Sequence, residues 1–144
     1  YGTEILMNGT KQVTDGNVRK DFPGGFPGDK RNAFTAEGST QAENAMFNWL
    51  SRLLHWRQGN EVVTKGTMTQ FIPMKGVYAI NRSYNGKNVL VVINGKKSDN
   101  TFSAARYAEV VPQGTVARDV TSGRKYDISH DFKLRPRQTL VLEY

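Results

Sequence analysis

From Thr67 to Tyr144 the chain is punctuated by turn dipeptides at Asn85-Gly86, Asn94-Gly95, Gln113-Gly114 and Ser122-Gly123. Between them lie short runs rich in Val, Ile, Leu, Tyr and Thr. This rhythm constrains the fold more than any other feature. Glycine enters left-handed backbone without a Cβ clash, so each pair marks a place where the chain doubles back. Short strands at intervals of ~10 residues pair antiparallel and close into a sandwich or barrel. The candidate strands are Met68–Ile72, Val77–Asn81, Asn88–Ile93, Ala104–Val111, Thr115–Val120, Lys125–Ile128 and Thr139–Glu143. The expected fold class is therefore mainly β, with an antiparallel β-sandwich over residues 66–144.

A helix precedes the strands. Thr40 and Glu43 spell a capping box, in which each side chain satisfies a free backbone amide of the other residue. Ala42, Met46, Trp49, Leu50, Leu53 and Trp56 then recur at helical spacing, and Phe47 and Leu54 widen the stripe. Gly59 is the expected stop. A stripe this wide calls for burial against a large partner.

Residues 1–38 are rich in Gly, Pro and Asp, with turn signals at Asn8-Gly9, Asp15-Gly16, Pro23-Gly24-Gly25 and Pro27-Gly28-Asp29. Only Ile5-Leu6-Met7 reads as regular structure, the end of a strand. A loop of ~30 residues far exceeds the usual median of about five and points to function. The chain starts in mid-element at Tyr1-Gly2-Thr3-Glu4, so it is expected to be a piece of something larger, with residues 1–65 forming a separate region from residues 66–144.

Hydrophobic residues make up 38% of the 144 and aromatics 10%, which is enough for a packed core. No apolar run approaches the ~20 residues of a membrane helix, so no membrane partner is expected. The chain has no cysteine, which excludes disulfides, thiolate zinc sites and thiol nucleophiles. That fits cytoplasm or a bacterial periplasm, of which the periplasm is the favoured expectation. The net charge of +7 is spread over small groups such as Arg19-Lys20, Lys96-Lys97 and Arg124-Lys125. None is interleaved with aromatics, so a solvated surface is expected rather than a nucleic-acid partner.

Nucleophile elbows, phosphate loops, zinc-protease helices and calcium loops are missing from the sequence, and no metal or cofactor is expected. His55 at the helix end and His130 beside Asp131 read as structural and surface residues. Two sequons, at Asn8 and Asn81, are of a kind that chance supplies. The pair Asp15 and Arg19 is more informative. Four residues apart on a glycine-containing loop, they can converge on one ligand, with Arg offering a planar fork of donors and Asp accepting from hydroxyls. That combination suits a sugar edge. Asp21-Phe22-Pro23-Gly24-Gly25-Phe26 adds aromatic rings on a turn, able to stack on a sugar face. The other reading is an internal ion pair that shapes the loop.

At these residues the chain resembles the C-terminal part of an alpha-amylase superfamily glycoside hydrolase, nearest to the neopullulanase and cyclomaltodextrinase branch. Tyr1-Gly2-Thr3-Glu4 is similar to the end of that family's eighth barrel strand. Arg19-Lys20-Asp21-Phe22-Pro23-Gly24-Gly25 is similar to the loop that follows. Glu43-Asn44 and Leu53-Leu54-His55-Trp56-Arg57 resemble the last barrel helix, and the remainder resembles the C-terminal sandwich. The resemblance implies a retaining hydrolase of alpha-glucans whose three catalytic carboxylates sit on earlier strands, with none in this chain. It implies substrate-binding roles for Asp15, Arg19, Asp21 and Phe22, toward an alpha-glucan such as maltodextrin, pullulan or cyclodextrin. Phe26 stands where relatives often show Trp. Without a barrel the helix stripe favours self-association, and residues 1–65 are expected to be partly disordered or dimer-forming. The alternative is a stand-alone carbohydrate-binding sandwich using Tyr78, Tyr84, Phe102 or Tyr107.

Overall fold

The structure is a computed structural model that describes residues 1–144. It divides into two compact units, Tyr1–Leu54 and His55–Tyr144. The second unit carries all eight strands: β1 Thr67–Gln70, β2 Val77–Tyr84, β3 Lys87–Asn94, β4 Asn100–Phe102, β5 Val116–Asp119, β6 Lys125–Asp127, β7 Phe132–Leu134 and β8 Thr139–Glu143. Six form one antiparallel sheet in the order β1-β2-β3-β8-β5-β6, and β4 pairs with β7 in a second, two-stranded sheet.

The turn chemistry explains the central hairpin. Asn85 and Gly86 both take left-handed backbone, with φ of 49° and 74°. A two-residue turn of this kind matches the right-handed twist of the strands it joins. It sets β2 against β3 from Tyr84↔Lys87 to Val77↔Asn94. Alternation then sends Val77, Ala79 and Asn81 of β2 inward and leaves Tyr78, Ile80 and Arg82 half-buried on the other face. β8 lies beside β3, pairing Leu142 with Leu90 and Leu140 with Val92. These residues, with Ala117, Ile128 and Leu134, form the buried core between the two sheets.

Aromatic rings tie the layers together. Phe102 stacks between Tyr107 and Phe132 at centroid distances of 4.8 and 4.6 Å. Tyr126 extends the row at 5.4 Å from Phe132, and Phe71 meets Tyr107 edge-on at 4.9 Å. Offset and edge contacts of this type add ~0.5–1.5 kcal/mol each beyond area burial. The buried residues Asn81, Asn94 and Asp119 are partnered. Asn94 donates to the carbonyls of Ser98 and Arg135, and its own oxygen accepts from the Lys96 amide. Asn81 accepts from the Tyr144 hydroxyl, whose pKa burial pushes up to about 12.

The expected antiparallel sandwich is therefore present, with local corrections. Ala104–Val111 is not a strand. Ala104–Tyr107 is a 3-10 turn, and the buried residues Ala104, Tyr107 and Val111 fall three and four apart, a helical rather than an alternating period. β4 and β7 have three residues each, too short to show a period in sequence. Ile5-Leu6-Met7 is not the end of a strand either. Thr3–Ile5 is a 3-10 turn, Leu6 is left-handed at φ 56°, and the amides of Ile5 and Met7 both bond back to the Gly2 carbonyl. A strand needs a neighbour for its backbone groups, and this segment satisfies them within itself. A second short helix, α2 Glu61–Lys65, follows α1 Gln41–Gly59. Asn60 caps it through the Val63 amide at 3.3 Å, and α2 packs on β2 and β3 with Val62 buried.

Asp119 at the end of β5 is buried and closes the sheet locally. Its carboxylate accepts from the Val141 amide of β8 at 3.1 Å, from the Ser122 amide at 3.0 Å, and from the hydroxyls of Thr121 and Ser122. Burial pushes its pKa up, but the bonds from Ser122, Val141 and Thr121 together outweigh it and hold the carboxyl below the usual range. We expect Asp119→Ala to lower unfolding stability by about 2–3 kcal/mol, since it strands several buried donors. The native contribution is complete above the ordinary Asp pKa of about 3.9 and is lost as pH falls through the lower folded value. Urea melts of both proteins between neutral and acid pH check this. An unchanged midpoint in the variant would rule out the role.

Candidate functional site

The first unit is mostly loop, and its backbone is held by its own short side chains. Thr14 caps the 3-10 turn Asp15–Val18 by accepting from the Asn17 amide at 3.2 Å. Asn17 returns its carbonyl oxygen to the Thr10 amide at 2.7 Å. Lys20 donates to the Asn8 carbonyl at 3.1 Å, and the Tyr1 hydroxyl donates to the Lys20 carbonyl. Gly9 has no room for a side chain, because a Cβ there would lie 2.2 Å from the Asn17 carbonyl oxygen.

This closed loop presents Asp15 and Arg19 outward. Their side chains are 65% and 73% exposed and form an ion pair at 3.7 Å. An ion pair so solvated contributes little to stability, so a ligand can open it at small cost. The two residues thus remain available as an acceptor and a donor fork for hydroxyl groups.

The second half of the loop wraps Asp21 to Ser39. Asp29 accepts from the amides of Gly24 and Phe26 at 2.7 and 3.1 Å, and the Ala33 amide bonds to the Pro23 carbonyl at 2.9 Å. Phe22 is half-buried against Phe34, centroids 4.7 Å apart, while Asp21 and Phe26 are exposed. One face of the Phe22 ring is therefore already engaged with Phe34.

The loop is pinned to the start of α1. The capping box forms as the sequence implied: the Thr40 amide donates to Glu43 at 2.7 Å and the Glu43 amide donates to the Thr40 hydroxyl at 3.3 Å. The structure adds a long-range partner. Arg31 grips the same carboxylate with two parallel bonds of 2.8 and 2.9 Å. That fork, followed by the Thr40 amide, lowers the Glu43 pKa to about 2. Asn44 then reaches back to the Ala36 carbonyl at 2.8 Å. Beyond this anchor α1 has no buried residue, and Phe47 and Leu54 stand 51% and 52% exposed.

The other chemistry-bearing residues are otherwise employed. His130 is exposed and bonds through Nδ1 to Asp127 at 2.9 Å rather than to its neighbour Asp131. Asp131 instead accepts from the Ala104 amide at 2.8 Å. The carboxyls displaced from their usual range, Glu43, Glu61, Asp119 and Asp127, are all lowered, the reverse of what a general acid needs near neutral pH. No group of three His, Asp or Glu side chains is placed to hold a metal ion. Among the rings considered for sugar stacking, Phe102 and Tyr107 are core residues at 0% and 2% exposure and face no solvent. Tyr78 and Tyr84 are half-buried.

One cluster was not legible in the sequence. Glu143 of β8 accepts from the Trp56 indole at 2.8 Å and the Asn60 amide at 3.0 Å, with Arg118 of β5 at 3.5 Å. Trp56 read as part of an apolar stripe, and its partner lies 87 residues away. Only the position of β8 in the sheet brings them together.

Residues 68–143 match the family model described as the cyclo-malto-dextrinase C-terminal domain. Among solved structures, the chain is similar to an Anoxybacillus alpha-amylase, with 16% identity and a TM-score of 0.68 over 99% of this chain and 27% of that one. It is similar to the Geobacillus thermoleovorans alpha-amylase complexed with acarbose, with 19% identity and a TM-score of 0.66 over 99% of this chain and 28% of that one. The trehalulose synthase MutB also matches, with 20% identity and a TM-score of 0.54 over 78% of this chain and 20% of that one. The chain thus spans little more than a quarter of the length of the amylases it resembles. At such identities the likeness is one of fold.

Two changes test the loop anchor. Gly38→Ala would place a Cβ 1.8 Å from the Asn32 carbonyl oxygen, so the loop must open. We expect faster amide hydrogen exchange across residues 22–38 with α1 retained. The Arg31–Glu43 clamp has a lowered carboxyl pKa, so it holds fully above the ordinary value of 4.5 and is lost only as pH falls toward about 2. Glu43→Gln should therefore speed exchange in the same loop at neutral pH, and equal protection in both proteins would show the clamp to be idle.

Proposed function

The chain belongs to the family of cyclo-malto-dextrinase C-terminal domains, and we propose that it is the C-terminal part of a glycoside hydrolase acting on alpha-glucans such as maltodextrin, pullulan or cyclodextrin. In this reading residues 1–65 complete a (β/α)8 barrel, supplying the loop after its eighth strand and its last helix. Residues 66–144 are the sandwich that stabilises the barrel. The reacting carboxylates lie on barrel strands outside this chain, as in the neopullulanase and cyclomaltodextrinase branch.

The observation that carries the reading is the solvated Asp15–Arg19 pair on an internally bonded loop. Active sites of such barrels are built from loops at strand C-termini. An internally bonded loop whose acceptor and donor fork are only loosely paired with each other can bind a glucose unit and hold it against the scissile bond. Asp21 adds an exposed acceptor, and Phe22 an apolar surface. The role is binding and positioning, which tells most on substrates long enough to reach the loop.

In the protein carrying its barrel, Asp15→Ala or Arg19→Ala should lower kcat/KM on maltodextrin by roughly 10–100-fold, the scale of one charged hydrogen bond. A change smaller than twofold in both would remove the loop from the substrate path. The 144-residue chain alone should release no reducing sugar from starch, pullulan or cyclodextrin.

The same reading assigns the exposed Phe47 and Leu54 of α1 to the barrel. Each large apolar side chain left in water forgoes ~2–3 kcal/mol of burial, so the isolated chain should self-associate. Light scattering over a concentration series checks this, and a strictly monomeric chain would count against it.

A further inference from the structure

A groove of ≈ 810 Å³ opens on the second unit where the end of α1, the β2–β3 hairpin and the ends of β5 and β8 meet. Trp56, Tyr84, Asn88, Arg118 and Glu143 line it. Its size falls within the range of small-molecule sites.

The chemistry of the lining selects the ligand. The charged lining residues are Lys87 and Arg118 against Glu61 and Glu143, two of each sign. The acidic and the cationic side chains of Lys87, Arg118, Glu61 and Glu143 therefore balance. Arg118 meets Glu143 at 3.5 Å and is 59% exposed, so its fork is free to exchange partners. Glu143 is pre-oriented, because Trp56 and Asn60 both donate to one of its oxygens. The other oxygen faces Arg118. A planar donor fork, a fixed acceptor, side-chain amides and the rings of Trp56, Tyr84 and Tyr144 suit an uncharged, polyhydroxylated ligand. Hydroxyls take the polar edge, and the apolar ring faces take the C–H surface of a pyranose.

We propose that this groove is a second saccharide-binding site, separate from the Asp15–Arg19 loop, and that it holds a short segment of a glucan chain. The identity of the sugar as an alpha-glucan rests on the function proposed above, whereas the charge-balanced, ring-lined chemistry does not.

Titration of the ¹⁵N-labelled chain with maltoheptaose tests it. Trp56 lines the groove and Trp49 does not, so the two indole N–H signals serve as probe and internal control. The Trp56 signal should move saturably while the Trp49 signal stays. Tyr84→Ala and Arg118→Ala should each weaken the affinity by about tenfold, the scale of one aromatic or planar polar contact. Arg118→Lys, which keeps the charge but loses the fork, should weaken it as well and guards against a folding defect in the alanine variant. Asp15→Ala should leave the titration unchanged, so the groove and the loop fail separately. An immobile Trp56 signal at millimolar maltoheptaose would overturn the proposal. So would full affinity in Tyr84→Ala and Arg118→Ala, or movement with inorganic phosphate in place of the sugar.

Discussion

The last five strand residues of the chain hold the second unit together. β8 enters the sheet between β3 and β5, and neither of those strands has the other as a neighbour without it. Its Leu140 and Leu142 fill the core face, its Val141 amide satisfies the buried Asp119, and its Glu143 gathers Trp56 and Asn60. Pairing across such sequence distances requires loop closure before any contact forms, which makes the sandwich a slow-folding, cooperative unit. The aromatic row from Phe71 to Tyr126 then fastens the small sheet onto the large one.

The first unit is stabilised by different means. It has few buried apolar residues, Ile5 and Ala33 among them. Close backbone approaches at Gly9 and Gly38, side-chain caps and the Arg31–Glu43 fork replace a core. Such a loop is ordered without being covered. That leaves Asp15, Arg19 and Asp21 in solvent with their polar groups uncommitted or loosely paired, the condition a substrate-binding loop needs.

The similar structures include alpha-amylases and a trehalulose synthase, and what they share with this chain is a fold. Fold does not choose between them; the site does. In this chain Glu43 and Asp119, whose carboxyl pKa values are lowered, serve as clamp and cap, while Asp15 and Arg19 stand in solvent. On the function proposed above, its share in the reaction is to hold sugar at the loop and, as further proposed, at the groove beside Glu143.

What the sequence determined alone was whatever depends on neighbours within a few residues. The Asn85-Gly86 turn, the Thr40–Glu43 capping box and the alternation of β2 are local, because left-handed backbone, caps and pleat all act over two to four positions. The mainly antiparallel sandwich followed from them. The tertiary structure decided the rest. Ala104–Tyr107 coils because its apolar residues face one core, not because its composition forbids a strand. β4 and β7 exist only because they find each other. Arg31 selects Glu43, and Glu143 selects Trp56, through the folding of intervening chain that no short-range pattern encodes. Local geometry is set by covalent sterics and near hydrogen bonds, while partnership between distant side chains is set by register and packing, which come into being only when the chain closes.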